Sequence, residues 1–66
     1  MHIRVNGEPR EVAGPLTISA LLADLQIDYR LVAVEHNLTI IKRAAYESVV
    51  VNEGDEIEIV RFVGGG

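Results

Sequence analysis

The chain contains no cysteine and no tryptophan. The first absence excludes disulfides, thiolate–zinc sites and cysteine nucleophiles. Only two imidazoles are present, His2 and His36, so little is on hand for acid–base chemistry. Basic residues are scarce, six against ten acidic ones. The resulting net charge of −4 argues against a nucleic-acid surface, which is normally basic. No apolar run approaches the ~18 residues of a membrane span, and no charged-then-apolar leader opens the chain. What remains is 66 residues, 48% hydrophobic and 24% charged, the composition of a globular domain. That length allows one domain and no second. A chain this short buries only about 60% of the surface its unfolded form exposes, so its stability margin is thin. A small, acidic, cytoplasmic domain is the expectation.

The opening residues alternate, with Ile3 and Val5 on one face and His2 and Arg4 on the other. Asn6-Gly7 is a strong hairpin signal, because a type I′ turn needs positive φ at both central residues. Glu8 to Val12 reads as the return strand, with Pro9 marking an edge, and Ala13-Gly14-Pro15 ends it. Thr17 is placed to cap a helix. Ile18, Leu21, Leu22 and Leu25 then recur at i, i+3, i+4 and i+7, one face of a helix of about nine residues. Such a helix is marginal alone in water and must pack its stripe on a sheet. Asp28 and Tyr29 read as loop. A third strand runs from Leu31 or Val32 to Glu35, with His36-Asn37 turning, and Leu38 to Ile41 gives a fourth. The stretch from Lys42 to Val49 reads as an irregular crossing with one helical turn. Asn52 to Asp55 forms another turn, with Gly54 free to take positive φ. The final strand alternates Ile57 and Ile59 against Glu56 and Glu58. Its second half is apolar on both faces except at Arg61, which suits a central strand or an exposed adhesive face.

Hairpin, helix and further strands make an α+β pattern with one helix on one sheet face. The right-handed crossover rule places the last strand beside the first, parallel to it and central. The architecture expected is a ubiquitin-like β-grasp, a mixed sheet of four to five strands packed on one helix. Residues 1–63 form the domain and 64–66 a flexible tail.

Side-chain chemistry is sparse. His36, next to a turn, reads as a solvated surface histidine. Glu53, Asp55, Glu56 and Glu58 form an acidic cluster without the spacing of a calcium loop. It reads as a solvated turn with charged strand edges that could face a basic partner. No metal site and no catalytic residue are expected, nor a pocket of the ~300 Å³ that a ligand site usually needs.

The glycine end is different. Gly64, Gly65 and Gly66 follow the last strand directly. Glycines at a terminus are commonly just a frayed end. They also make the thinnest possible chain, free to take any backbone angle, and three residues reach about 10 Å. Such a tail can thread a narrow channel and present its carboxylate to another protein's active site. A carboxylate is a poor electrophile until adenylated, after which a sulfur nucleophile gives a thiocarboxylate and an amine an amide. The reacting atom is main-chain carbon, so no catalytic side chain is required.

"IRVNGEP", "LTISALLADL", "VAVEHNLTIIKR" and "NEGDEIEIVRFVGGG" together resemble the ThiS family, the sulfur carriers of thiamine biosynthesis. Glu35-His36-Asn37, Arg43 and Gly54-Asp55 look like that family's internal landmarks, and with the glycines last the expectation is that no processing would be needed. The resemblance implies a mechanism. A ThiF-type adenylyltransferase would activate the Gly66 carboxylate with ATP. Sulfur from a cysteine persulfide made by a desulfurase would give the thiocarboxylate, and a ThiG-type thiazole synthase would accept that sulfur. The carrier itself would be a cosubstrate, with no bound cofactor, no nucleic acid and no membrane. Val60 and Phe62, beside Arg61, are the candidate partner-binding residues, because an apolar pair at the tail's root is more than a monomer needs. Their burial in the protein's own core is the competing reading.

Three alternatives stay open. The same chemistry could serve molybdopterin synthesis or tRNA thiolation, although those relatives tend to be longer. A ubiquitin-like modifier would attach through Gly66 to lysines; with Lys42 as its only lysine, it could chain through one linkage alone. A plain interaction module would use the glycines as a spacer.

Overall fold

Asn6 and Gly7 take φ of 52° and 81°, the doubly positive geometry that joins two twisted strands without splaying them. The turn folds β1 (His2–Val5) onto β2 (Glu8–Glu11), Val5 facing Glu8 and His2 facing Glu11. Pro9 lies on β2, an outer strand, where its missing N–H costs least. The computed structural model describes residues 1–62; the boundary at 63/64 and the tail lie outside them.

The chain continues through β3 (Leu16–Thr17), α1 (Ile18–Asp24), β4 (Val32–His36), β5 (Thr39–Ile41), β6 (Val50–Val51) and β7 (Glu56–Arg61). Five strands form one mixed sheet in the order β2-β1-β7-β4-β5. β7 is central, parallel to β1 and antiparallel to β4, as the crossover rule requires. This is the β-grasp architecture, with α1 covering one sheet face.

The core is built from both periodicities. Ile3, Val32, Val34 and Ile57 come from the sheet, Ile18, Leu21 and Leu22 from the helix, and Tyr46 and Val51 from the crossing; all are buried. Leu25 packs half-buried at its edge. Each fully buried Leu, Ile or Val contributes roughly 1.5–3 kcal/mol.

The helix is shorter than its stripe suggests, seven residues rather than about nine. Gln26 takes φ 60°, and the Ile27 N–H bonds back to the Leu22 carbonyl at 2.9 Å while that of Gln26 bonds to Ala23. That is a Schellman closure, which stops the helix. At the other end the Thr17 hydroxyl accepts from the Ala20 N–H at 3.0 Å. The Ile18 and Ser19 N–H groups donate to the carbonyls of Val49 and Tyr46. The crossing segment thus serves as an external cap.

Further details follow from local chemistry. β3 and β6 pair antiparallel, Leu16 with Val51 and Thr17 with Val50; two-residue strands carry no readable period. The second hairpin turns at Asn37-Leu38, not at His36-Asn37, so His36 belongs to β4. Val12 is in the core but beyond β2. The expected helical turn in the crossing is a 3-10 turn at Arg43–Ala45. Among the described residues no helix is long and apolar enough to cross a membrane.

Candidate functional site

β7 outruns its parallel neighbour. β1 pairs with it only at Arg4–Glu56 and Val5–Ile57, so the Ile59 N–H has no strand partner on that side. The Asn6 side chain supplies one, its Oδ1 accepting from Ile59 N at 2.7 Å. On the other side β4 holds β7 to the end, Val60 opposite Ala33 and Arg61 opposite Val32. The Phe62 N–H extends the ladder to the Leu31 carbonyl at 2.9 Å. The last described residue is therefore fixed to the sheet.

Alternation along β7 divides the three candidates. Ile57 and Ile59 face the helix, and Arg61 follows them into a half-open depression of about 360 Å³ that it shares with Asn6, Arg10, Leu25 and Ile27. Val60 and Phe62 point to the opposite, uncovered face of the sheet, 56% and 53% exposed. The two apolar candidates are thus together and Arg61 is apart from them. Neither apolar side chain is spent on the protein's own core. Ile40, 74% exposed, joins their face through its pairing with Glu35. Glu35 and Glu58 are directly opposed across β4 and β7, a like-charge pair that weakens a sheet. Gly64, Gly65 and Gly66 lie outside the described residues.

At the far end of the sheet the acidic cluster is not uniformly solvated. His36 Nε2 lies 2.6 Å from Asp55 Oδ2, both side chains largely shielded. Asp55 also accepts from the Asn52 N–H at 2.8 Å and from Asn37 Nδ2 at 3.2 Å. Partial burial pushes its carboxyl up, but the Asn52 N–H, His36 and Asn37 outweigh that, and the group sits below its ordinary value. The solvated histidine expected at 36 is instead half-buried and bonded, because β4 runs one residue further and aims it at the β6–β7 turn. Glu53 accepts from the His2 N–H at 2.9 Å; Glu56 and Glu58 are exposed. Among the described residues no group of His, Asp and Glu is placed to hold a metal.

The domain also has a concavity that sequence reasoning did not anticipate. A half-open groove of about 440 Å³ is lined by Ser19, Tyr29, Arg43, Ala44, Tyr46 and Glu47, above the ~300 Å³ expected to be absent. The Arg43 guanidinium lies over the Tyr29 ring, 5.9 Å from its centroid, and donates to the Arg30 carbonyl at 3.2 Å. Next to it, Arg30 forks onto Asp28 at 3.0 and 2.8 Å. Those bonds hold the Asp28 carboxyl down to about 2. No sequence period could reveal the groove, because it joins the helix start to two separate 3-10 turns.

The ThiS family profile matches residues 3–66. The chain belongs to the ThiS family. A crystal structure of the thiamine biosynthesis protein ThiS from Geobacter metallireducens superposes with a TM-score of 0.89, at 36% identity and over the whole of both chains. The sulfur carrier protein ThiS of Bacillus subtilis is 48% identical over 50 residues, 76% of each chain. Thiazole synthases of Paramagnetospirillum magneticum and Magnetococcus marinus match all 66 residues at 48% and 42% identity. The chain spans 20% of the length of those two proteins, so a ThiS-like segment forms part of each.

Proposed function

We propose that this chain, with the carboxylate of Gly66 free, carries sulfur to the thiazole ring of thiamine as a C-terminal thiocarboxylate. The carrying observation is the family match through residue 66, which takes in the glycine end. One Gly66 carboxylate oxygen attacks the α-phosphorus of ATP on a ThiF-type adenylyltransferase and pyrophosphate leaves. The terminal sulfur of a desulfurase-derived persulfide then displaces AMP from the carbonyl carbon. A free thiol then attacks the cysteine-side sulfur of that acyl disulfide, expelling the thiocarboxylate and ending as a disulfide with the cysteine. Sulfur passes from there to a ThiG-type thiazole synthase, the reading that the two thiazole synthase relatives favour over molybdopterin or tRNA thiolation.

Gly64 and Gly65 are the threading tail. Val60 and Phe62 form the apolar docking face, and Arg61 steers from the other side of the strand. The protein acts as cosubstrate in the cytoplasm and holds no cofactor of its own; ATP belongs to the activating enzyme. ATP–pyrophosphate exchange by a ThiF-type enzyme tests the first step. Exchange should depend on the chain and vanish when Gly66 is deleted; exchange that persists without Gly66 removes the carboxylate from the mechanism.

A further inference from the structure

Arg43 is poised in a way that its own fold does not use. Its guanidinium rests on Tyr29, itself 48% exposed. One N–H is anchored on the Arg30 carbonyl, which leaves other donors of the planar fork unspent. Among the described residues no carboxylate pairs with it, although Glu47 lines the same groove. The ring contact and the one hydrogen bond favour a single orientation of the guanidinium, so an incoming carboxylate would meet a partly oriented fork. The groove also has a position. Its Tyr29 wall belongs to the 3-10 turn Tyr29–Leu31, and the carbonyl of Leu31 holds the N–H of Phe62. The site therefore stands beside the point from which residues 63–66 depart.

We propose that this groove is the specificity anchor for the protein that adenylates the C-terminus, with Arg43 on its Tyr29 platform receiving an Asp or Glu side chain of that partner. The inference rests on the carrier reading and adds to it a second contact, separate from the Val60–Phe62 face. Charge complementarity selects the occupant: a planar, bidentate cation in a partly apolar groove matches a carboxylate on a short apolar stem. Glu47 sets a cost for that occupant, so its removal should strengthen binding.

The test is calorimetric titration of a ThiF-type adenylyltransferase with the full chain, with thiocarboxylate formation measured by mass in parallel. Arg43→Ala should raise Kd about tenfold, the weight of one charge-assisted hydrogen-bonded pair. Arg43→Lys should not rescue it, since an ammonium neither stacks nor forks in the same way. Glu47→Gln should lower Kd. All three should keep the wild-type thermal midpoint within a few degrees and reach wild-type thiolation at saturating carrier. Unchanged Kd in folded Arg43→Ala, or weaker binding by Glu47→Gln, would overturn the proposal while leaving the carrier reading intact. Inorganic phosphate or ATP alone shifting the Tyr29 and Arg43 NMR signals at low millimolar concentration would also overturn it, in favour of a small-anion site. Failure of the wild type to be thiolated by an active enzyme set strikes the carrier reading instead, and the Kd series still decides the anchor.

Discussion

Leu38 stands at φ 70° with 89% of its surface exposed. A bulky residue in the left-handed region costs roughly 1–2 kcal/mol, and this one recovers almost nothing by burial. Leu38→Gly should therefore stabilise the domain by about 0.5–1 kcal/mol after the extra entropy of glycine in the unfolded chain. Differential scanning calorimetry would register this as a rise of several degrees. The asparagines of the two hairpins have a second task besides tolerating positive φ. Asn6 caps Ile59, and Asn37 accepts from the Glu56 N–H at 2.8 Å. Asn6→Gly should keep the turn yet cost about 1 kcal/mol for the lost bond, measured by urea unfolding. Asp55 gives the fold a pH dependence. Its carboxyl is depressed in the folded state. Its stabilisation is thus present above the unfolded value of about 3.9 and lost as pH falls through the folded one. Unfolding free energy should fall below about pH 4, and Asp55→Asn should flatten that limb while lowering the neutral plateau.

At the scale of elements, α1 is too short to persist alone, since isolated helices under ~12 residues are marginal in water. Its stability is the sheet's. Leu21→Ala should cost about 2–5 kcal/mol, enough to unfold much of so small a domain, and far-UV circular dichroism would show loss of strand and helix signals together. How far the sequence announces these elements depends on their length. Ile18, Leu21, Leu22 and Leu25 mark the helix, Asn6-Gly7 the first hairpin, and the alternation from Glu56 to Ile59 the central strand. Each is a local pattern long enough to have a period or a turn with its own residue code. The end of the helix is less legible because glutamine, not glycine, occupies the left-handed position at 26. β3 and β6 are invisible because two residues have no period and their pairing is set by packing. Val60 and Phe62 were legible as an apolar excess, but the side of the sheet they face depended on β7's register. The groove at Arg43 and the His36–Asp55 bond join segments far apart in sequence, and no local signal marks either.

The two faces of the sheet are used differently. One sheet face is spent on α1. The other carries Val60, Phe62 and Ile40 beside an opposed Glu35–Glu58 pair, which a protein selected for stability alone would not keep. Replacing Val60 and Phe62 together by serine should leave the thermal midpoint within a few degrees, since both are already half in water. It should also weaken binding to the adenylyltransferase at least about tenfold, as truncation of an interface anchor does. The proposed reacting group is the carboxylate of Gly66, and intact-protein mass spectrometry reports on it directly. The chain is incubated with ATP, a ThiF-type enzyme, a cysteine desulfurase and cysteine. The expected result is a mass gain equal to one oxygen exchanged for sulfur, absent in the chain lacking Gly66. An unchanged mass with an enzyme set that thiolates another carrier would contradict it.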